Sequence, residues 1–424
     1  MSKDKGQSRM RILVIDVNFD YKNPMYRQFY NHLAYCMEVD YFGPGYVKRE
    51  ILEKGIIQFL DEREPYNAIL LGTYFVYSAN LPGMRFNAYQ IHRRSIPYYY
   101  VNDAYQCCKT IFEELRIINS IIKIFIYYED SVSMPKGDYN ICKMLLEDGF
   151  YLMSWPIQYM QIFKKKHMRE TAILTNNAYQ LAEEYSTKYI PIPLHAITYP
   201  EIFMRDYELR EYDWCVPGNK SKAFYGNRSG VASFIEKSGN KVWTKDPFQK
   251  LSVDNIQKEH MEWYEFNSRF ERFLSRIVGK DMYIPSYPKL VYVAGCRENY
   301  LESMRRSKYV YVDGGAGEIF VRKYFEACAC GALMVGKMIP GLSDFGFKDG
   351  INCRIVEEIN EEIVKEIISD KIKNIQIAQE GQKLILKKHM MHHRAAALYH
   401  TIGAIQYGSY KGAFWQNGKY AIKS

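Results

Sequence analysis

The sequence predicts an α/β protein with two Rossmann-like domains that face each other across a cleft. In its first half, strand-like apolar runs such as Met10–Val17 and Asn67–Leu71 alternate with amphipathic helices such as Val47–Arg63. This alternation is typical of domains built on a mostly parallel sheet. Three prolines in Tyr189–Pro200 then interrupt regular structure, and a second alternation begins after them. A linker between two α/β domains accounts for both observations.

The other predicted elements follow from the same patterns. Further strands are expected at Glu38–Phe42, Ser95–Val101, Ile124–Tyr128, Tyr151–Ser154, Ala172–Thr175, Trp214–Val216, Lys241–Trp243, Leu290–Ala294, Tyr309–Val312, Ala332–Val335 and Asn352–Val356. Further helices are expected at Met25–Tyr35, Ala223–Lys237, Tyr300–Ser307, Ile319–Ala329, Glu361–Ile368 and Ile375–Lys388. The expected domains are residues 1–198 and 199–400. They are followed by a basic, aromatic tail, 401–424, which either packs back on the first domain or contacts an anionic membrane surface.

Composition excludes several classes of protein. A chain of 424 residues with 47% apolar and 25% charged residues is typical of a globular protein with more than one core. The nine cysteines show no metal-binding or disulfide spacing, since Cys107-Cys108 and Cys328-x-Cys330 are too close for the usual metal pair. The N-terminus is polar, and the longest apolar run, Ile117–Tyr128, is too short to span a bilayer. We therefore expect a cytoplasmic protein, at most peripheral at the inner membrane face.

The positive charge is concentrated at the C-terminus. The net charge is +9, and the segment Gly381–Ser424 contains no Asp or Glu. Its basic residues are Lys383, Lys387, Lys388, Arg394, Lys411, Lys419 and Lys423. This segment is either solvated surface or a contact for anionic lipid headgroups or an anionic acceptor, and nucleic acid is the least favoured partner.

The stretch Tyr309–Gly331 carries the strongest functional signal. A predicted strand leads into the glycine-rich turn Asp313–Gly317, and a predicted helix, Ile319–Ala329, follows. Backbone N–H groups at such a turn and helix start can bind an anion. Polar residues at i, i+4 and i+8, namely Glu318, Arg322 and Glu326, would share one face of that helix.

Several motifs in this half occur in a characteristic order. They are Tyr212–Asn219 with Arg228, the E-x7-E pair Glu318 and Glu326, the run Arg322-Lys323-Tyr324-Phe325-Glu326-Ala327, Gly331-Ala332-Leu333, Pro340-Gly341-Leu342, Asp349-Gly350, and Gly381 with Lys388-His389 and His393-Arg394. Together they resemble the C-terminal domain of GT-B glycosyltransferases of the group 1, family 4-like type, most closely the CgeB-type (spore maturation protein) branch. The first half matches in pattern only, with Val17-Asn18-Phe19-Asp20 where many members have a double-glycine loop.

The resemblance implies transfer of a sugar from a nucleotide diphosphate sugar, of UDP or GDP type, with retention of anomeric configuration. The second domain would hold this donor, and the first would hold a glycan, lipid-linked or protein acceptor. Because no DxD motif ends a predicted strand, backbone N–H groups and cations must neutralise the diphosphate, so no metal or other cofactor is expected. Candidates are the loop residues Gly314, Gly315 and Gly317 with Arg322, then Lys323 and Arg228.

Three further donor-side roles follow from the resemblance. Glu326 would accept hydrogen bonds from the ribose hydroxyls. Glu318 would lie beside the donor sugar and, with Arg322, act in catalysis, although a favourable charge at a helix start is the simpler interpretation. Gly218 and Asn219 either close over the phosphates or form an ordinary turn.

The acceptor side has weaker signals. Glu129 and Asp130 follow a predicted strand, where one could serve as a base or an acceptor ligand, or both could be exposed loop acids. His92, next to Arg93 and Arg94, either binds an anionic acceptor or belongs to a surface helix. Two other functions stay open: a glycosyltransferase that acts on modified DNA, and a non-catalytic nucleotide-binding scaffold.

Overall fold

The computed structural model describes twelve stretches of the chain, to which all statements below refer. They are residues 9–17, 24–79, 81–82, 84, 98–127, 134, 136–156, 169–203, 206–218, 222–243, 300–314 and 320–423. The predicted strand Leu290–Ala294 lies outside them.

Two parallel sheets organise the described chain. The first has the order β2-β1-β3-β4-β5-β6 and comprises β1 Arg11–Ile15, β2 Glu38–Phe42, β3 Ala68–Gly72, β4 Ile122–Ile126, β5 Tyr151–Met153 and β6 Tyr189–Ile190. The second has the order β8-β7-β9-β10-β11 and comprises β7 Tyr212–Cys215, β8 Val242–Trp243, β9 Ser307–Val312, β10 Leu333–Gly336 and β11 Arg354–Ile355. An antiparallel hairpin, β12 Ala413–Gln416 and β13 Lys419–Ile422, ends the chain. The predicted fold, two Rossmann-like α/β units, is confirmed.

Helices connect and cover the strands. They are α1 Pro24–Leu33, α2 Arg49–Leu52, α3 Gly55–Asp61, α4 Thr73–Ser78, α5 Tyr98–Ile117, α6 Lys136–Glu147, α7 Arg169–Glu184, α8 Lys222–Lys237, α9 Lys323–Ala329, α10 Glu361–Ser369, α11 Lys371–Lys388 and α12 Met391–Gln406. A further helical segment spans residues 300–305. Among the described residues, none of the helices combines the length and apolar content needed to cross a membrane.

Near-continuous apolar runs form the centre of the first sheet. The strand β3 (AILLG) is buried along its whole length, and β1 (RILVI) from its second residue. Strands buried on both faces by crossover helices have this composition in parallel sheets. In both sheets the order reverses beside the first strand, between β1 and β3 and between β7 and β9.

Two predicted strands are wrong because they lie in helices. Residues 98–101 of Ser95–Val101 begin α5, and Ala172–Thr175 lies inside α7. Helix α5 buries Cys108, Ile111, Phe112 and Leu115, which have helical spacing. Short runs of β-branched and aromatic residues do not distinguish strand from helix, and the longer amphipathic pattern decides.

The predicted helix Val47–Arg63 is divided into α2 and α3. Gly55 begins α3 with φ +81°, a value that L-residues rarely adopt. The carboxylate of Glu114 accepts a hydrogen bond from the Ile56 backbone N–H at 2.6 Å. A Cβ on Gly55 would lie 2.5 Å from Glu114 Oε1. The division thus brings the chain close to α5.

In the part of the chain that the structure describes, two passages cross between the halves, and they are bonded to each other. The Ile197 N–H donates to the His389 carbonyl at 3.0 Å, and the Met391 N–H donates to the Ile197 carbonyl at 2.8 Å. Helix α12 continues from there and packs against α1 and β4 of the first half. The predicted boundary at residue 400 therefore falls inside a continuous helix.

The segment after α12 also contacts the first half. The Trp415 indole N–H donates to the Pro191 carbonyl, and the Tyr410 hydroxyl to the Tyr189 carbonyl, each at 2.6 Å. Trp415 is 2% exposed and stacks on Phe345, with ring centroids 4.9 Å apart. The aromatic residues of the hairpin are thus part of the packed structure rather than a free tail.

Candidate active site

The carboxyl ends of β7 and β9 lie side by side at the point where the strand order of the second sheet reverses. Val216, Pro217 and Gly218 follow β7, and Asp313 and Gly314 follow β9. In open α/β sheets this crevice is the usual ligand position, because the loops after the two strands turn in opposite directions. Side chains that converge here are therefore the first candidates for a site.

A buried ion pair joins the two loops. Arg228, on the helix after β7, donates from Nε to Asp313 Oδ1 at 2.6 Å, and its terminal nitrogen lies equally close. Arg228 is 3% exposed and Asp313 is 9% exposed. Two charges so far from water are tolerated because they are paired and hydrogen-bonded.

Lys323, the first residue of α9, adds a second cation. Its Nζ donates to the Pro217 carbonyl at 3.0 Å. Burial, and then the charge of Arg228, lower the pKa of Lys323 to about 8 although Asp313 opposes the shift. The ammonium group is thus held in a site where it is poorly solvated and repelled by a neighbouring guanidinium.

Gly218 brings backbone next to both cations. Its φ of +108° favours glycine, and a Cβ at this position would lie 2.3 Å from Lys323 Nζ and 3.0 Å from an Arg228 terminal nitrogen. We refer to Gly218, Arg228, Asp313 and Lys323 as the switch-point cluster. With two cations and one carboxylate, its net charge is positive, which suits an anion with more than one charge.

Helix α9 begins later than the sequence predicted. Its first residue is Lys323, and Phe320 and Val321 are not helical, so the predicted start at Ile319 is wrong. Phe320 is 1% exposed and stacks on Phe345 with ring centroids 5.0 Å apart. Packing of this ring into the core takes the place of the first helical turn. The expected alignment of Glu318 with Arg322 and Glu326 on one continuous helix is therefore also wrong.

Arg322 precedes α9 and binds the linker rather than the switch-point cluster. One of its terminal nitrogens donates to both carboxylate oxygens of Glu201, at 2.6 and 2.7 Å. Both terminal nitrogens lie 3.2 Å from Gln28 Oε1 on α1. Arg322 is 7% exposed and Glu201 is 3% exposed. The guanidinium thus connects the two halves, and its predicted contact with a donor stays a prediction.

Glu326 is fixed from two sides. Its Oε2 accepts a hydrogen bond from the Tyr300 hydroxyl at 2.9 Å, and its Oε1 lies 3.3 Å from Arg322 Nε. Glu326 is 3% exposed. Burial, and then the charge of Glu326, raise the pKa of Tyr300, so the phenol stays a hydrogen-bond donor. The carboxylate therefore has a defined orientation.

The carboxyl end of β1 carries a buried acid that the sequence analysis did not single out. Asp16 accepts hydrogen bonds from the Tyr30 hydroxyl at 2.7 Å and from the N–H groups of Val17 and Phe75 at 2.9 and 3.1 Å. Burial raises the pKa of Asp16 to about 7 in spite of these three donors. A Cβ on Gly72 would lie 2.0 Å from Asp16 Cγ. This carboxyl group occupies the reversal point of the first sheet.

His195 lies in the linker between the two halves. Its ring centroid is 4.2 Å from that of Trp155 and 6.5 Å from that of Phe320. Within the described residues its Nδ1 is buried without a hydrogen-bond partner. Burial, and then the charges of Arg322 and Arg394, lower the pKa of His195, so the imidazole is neutral at physiological pH.

The structure brings together only some of the predicted site residues. Gly218, Arg228 and Lys323 converge, Gly314 follows Asp313 directly, and Arg322 and Glu326 adjoin each other. The candidates outside the described residues are His92, Glu129, Asp130, Asn219, Gly315, Gly317 and Glu318.

Sequence reasoning missed five residues of this region: Asp16, Gln28, Glu201, Tyr300 and Asp313. Signals existed for three of them. Asp16 lies at the end of a predicted strand, Asp313 follows another, and Thr198-x-x-Glu201 is a capping-box pattern, which the structure contains. Gln28 and Tyr300 carry no such pattern.

Comparison with known families decides the enzyme class. Residues 271–400 match the family model described as glycosyl transferase-like. This stretch carries a glycosyltransferase-like domain. The predicted enzyme class, glycosyltransferase, is confirmed by the match. The match also supports the resemblance to group 1 GT-B enzymes, whereas the narrower CgeB-type branch stays a prediction.

Solved structures give distant likenesses only. A glycosyltransferase from Rickettsia africae is 9% identical, with a TM-score of 0.48 over 94% of this chain and 99% of that one. Anabaena HepE in complex with UDP and glucose is 10% identical, with a TM-score of 0.47 over 93% and 100%. Sucrose-phosphate synthase from Thermosynechococcus elongatus is 11% identical, with a TM-score of 0.47 over 95% and 100%. No curated protein shows significant similarity to the chain. Because these identities and TM-scores are low, the fold assignment is based on the two parallel sheets and not on these structures.

Proposed function

We propose that this chain transfers a sugar from a nucleotide diphosphate sugar, of UDP or GDP type, and that the switch-point cluster holds the diphosphate. One observation carries the proposal: Arg228 and Lys323 approach the same backbone at Gly218, beside the reversal of strand order. The crevice at such a reversal is where nucleotides bind in open α/β sheets. The glycosyltransferase-like match, which includes Lys323, supports a sugar nucleotide as the ligand.

The chemistry of the cluster suits a leaving diphosphate. Negative charge develops on the diphosphate as the bond to the sugar breaks, and fixed cations in a water-poor site stabilise that charge. Lys323 is already short of solvation and repelled by Arg228, so an added phosphate relieves both costs. Arg228 and Lys323 supply positive charge beside the phosphates, and the proposed reaction uses no metal or other cofactor.

Glu326 is proposed to accept the ribose hydroxyls, with Tyr300 and Arg322 fixing its carboxylate. A carboxylate can accept hydrogen bonds from both hydroxyls of a ribose, and the bond from Tyr300 sets the orientation of this one. Glu318 and Arg322 keep their proposed roles in catalysis, and retention of configuration is proposed from the resemblance. The acceptor is proposed to be a glycan, a lipid-linked sugar or a protein, with peripheral contact at an anionic membrane surface.

A thermal-shift panel tests the donor site with the intact chain. UDP, GDP, ADP and their sugars are compared for wild type and Lys323→Met, and we expect one base to stabilise wild type by mass action. Without nucleotide, Lys323→Met should be more stable by about 3 kcal/mol below pH 8, because it removes a cation whose pKa falls from 10.5 to about 8 on folding. The same variant should lose most of the nucleotide shift and roughly 100-fold or more in transfer rate.

The pH dependence of the free energy of unfolding is an independent test of the Lys323 environment. Between pH 8 and 10.5 the unfolded chain holds the Lys323 proton and the folded chain does not. The stability of wild type should therefore gain from this residue as the pH rises through that window, and Lys323→Met should lack the gain.

Lys365→Met is the matched control, because Lys365 is exposed and pairs across one helical turn with Glu361. An unchanged nucleotide shift in Lys323→Met would remove Lys323 from the site. Stabilisation by a nucleotide without any sugar transfer would favour the scaffold alternative, and stabilisation by no nucleotide at all would contradict the donor site. Salt-sensitive binding of DNA would favour the DNA-modifying alternative. Near-wild-type transfer by both Arg322→Ala and Glu326→Ala would contradict their roles.

A further inference from the structure

A second concave, basic surface lies at the end of the chain, away from the switch-point cluster. The end of α11, one face of α12 and the hairpin β12–β13 enclose a groove of about 510 Å³. Its lysine and histidine lining residues are Lys387, Lys388, His393, His400 and Lys419. We call this the C-terminal groove, and it shares no lining residue with the switch-point cluster.

The lining of the groove contains lysines and no acid. No carboxylate contributes to its walls, and no ion pair joins Lys387 or Lys419 to an acid within the described residues. The nearest acid in sequence, Glu380, pairs with Lys383 at 2.5 Å, outside the groove. The positive charge of the groove is thus uncompensated by the protein.

The lysines repel one another. After burial, the groups that lower the pKa of Lys388 are Lys419, Lys348 and Lys387, in that order, and no acid opposes them. His393 adds no charge, because burial and its basic neighbours lower its pKa to about 4. Like charges held this close are stabilised by a bound anion, which lowers their mutual repulsion.

Hydrogen bonds fix the shape of the groove. Lys388 Nζ donates to the Asn417 carbonyl at 2.5 Å, and the Gly418 N–H donates to the Asp344 carbonyl at 2.7 Å. Asn417 and Gly418 have φ of 49° and 75°, as expected for a tight hairpin turn. A Cβ on Gly418 would lie 2.7 Å from Lys388 Cδ. The position of Lys419 relative to α11 is therefore set before any ligand arrives.

We propose that the C-terminal groove is a second anion site, which binds the phosphate or diphosphate group of a ligand other than the sugar nucleotide. Ammonium groups on flexible stems suit a compact phosphate group. A volume of about 510 Å³ accommodates a headgroup or a small phosphorylated molecule. Trp415 on the groove wall is only 2% exposed, so it offers no surface on which nucleic-acid bases could stack.

Two charge-matched double variants of the full-length chain test this site. Lys387→Gln with Lys419→Gln removes two charges from the groove and keeps Lys388, which holds the turn. Lys411→Gln with Lys423→Gln removes two charges from exposed positions in the same C-terminal segment, outside the groove. Each is also combined with Lys323→Met, so that binding at the switch-point cluster is separated from binding in the groove.

The first probe is inorganic pyrophosphate, measured by titration calorimetry. In the Lys323→Met background we expect pyrophosphate to bind, and the groove variant to bind it roughly tenfold or more weakly than the control variant. Equal weakening in both double variants would assign the effect to net charge and overturn the site. Binding unaffected in both would overturn it as well. A partial loss of pyrophosphate binding in Lys323→Met, relative to wild type, concerns only the proposed donor site.

The second probe distinguishes the sources of the phosphate. Flotation with phosphatidylcholine vesicles, with and without phosphatidic acid, measures binding to a lipid headgroup. Vesicle binding that needs phosphatidic acid and is lost in the groove variant, but not in the control, supports the site with a lipid as its ligand. Pyrophosphate binding without vesicle binding supports the site with a soluble ligand. Failure of both probes in the Lys323→Met background overturns the proposal.

Discussion

The two sheets have the same strand order at their reversal points but opposite chemistry there. In the first sheet, the carboxyl group of Asp16 lies between the ends of β1 and β3. In the second sheet, Arg228 and Lys323 lie at the equivalent position between β7 and β9. Topology therefore places a crevice in both halves, and the side chains decide what each can hold.

Asp16 fills its own crevice. Its Oδ1 accepts the N–H of Phe75 in the first turn of α4, which is where an external anion would otherwise sit. The absence of a side chain at Gly72 admits the Asp16 carboxyl group, whereas the absence of one at Gly218 admits two cations. The first crevice is thus closed by a protein acid, and the second is left positive. The difference argues that an anionic ligand belongs to the second half.

The largest expected effect comes from Arg228→Met. The change removes the guanidinium that pairs with the buried Asp313 carboxylate, and breaking such a pair costs up to about 5 kcal/mol. Urea unfolding measures the loss of stability. The thermal shifts that nucleotides cause should disappear in the same variant. Adding Asp313→Leu should restore most of the stability but none of the nucleotide binding. If Arg228→Met alone is as stable as wild type, the ion pair contributes little to the free energy of unfolding.

Asp16→Asn tests the first crevice through its pH dependence. The pKa of Asp16 is raised on folding from 3.8 to about 7, so the folded chain holds the proton more tightly. Its stabilising contribution is fully present below pH 4 and is lost as the pH rises through 7, a change of about 4 kcal/mol. The amide oxygen can keep the bonds from the Val17 and Phe75 N–H groups, the NH2 group can donate to the Tyr30 hydroxyl oxygen, and the amide does not ionise. The variant should be more stable than wild type at pH 8, and coincident stability–pH curves would contradict this.

The smallest expected effect comes from Gly218→Ala. A φ of +108° costs an L-residue about 1–2 kcal/mol, and the new methyl group would displace the flexible end of Lys323. Thermal unfolding and the nucleotide panel should both show a loss. Gly230→Ala is the matched control, because Gly230 lies on helix α8 with open space around it and should gain about 1 kcal/mol. Equal effects of the two changes would contradict a special role for Gly218.

The sequence predicted the architecture well because buried parallel strands have a clear pattern. Strands such as Glu38–Phe42 have the predicted bounds, and the proline-rich linker lies where two halves meet. The prediction failed where a short run was ambiguous, as at Ala172–Thr175, which lies inside the helix α7. A short apolar run by itself does not distinguish a strand from a helix.

The candidate site was harder to predict than the fold. Arg228, Lys323 and Gly218 were candidates because motifs mark them. The contact of Arg322 with Glu201 and Gln28 joins positions far apart in the chain, and no spacing rule indicates it. Phe320 shows the same limit. The sequence pattern places it in the predicted helix Ile319–Ala329, whereas in the structure its ring packs into an aromatic cluster.

The bonded crossing at Ile197 and Met391 has a mechanical consequence. Because both passages of the chain between the halves meet at one place, a swing of one half against the other pivots there. Atoms close to a pivot move little, and those far from it move most. Glu201 is four residues from the pivot, so its bonds to Arg322 can survive a swing that widens the far end of the cleft. The crossing would thus be the hinge of such a swing. The distance that each half extends beyond this hinge sets how wide the cleft can open.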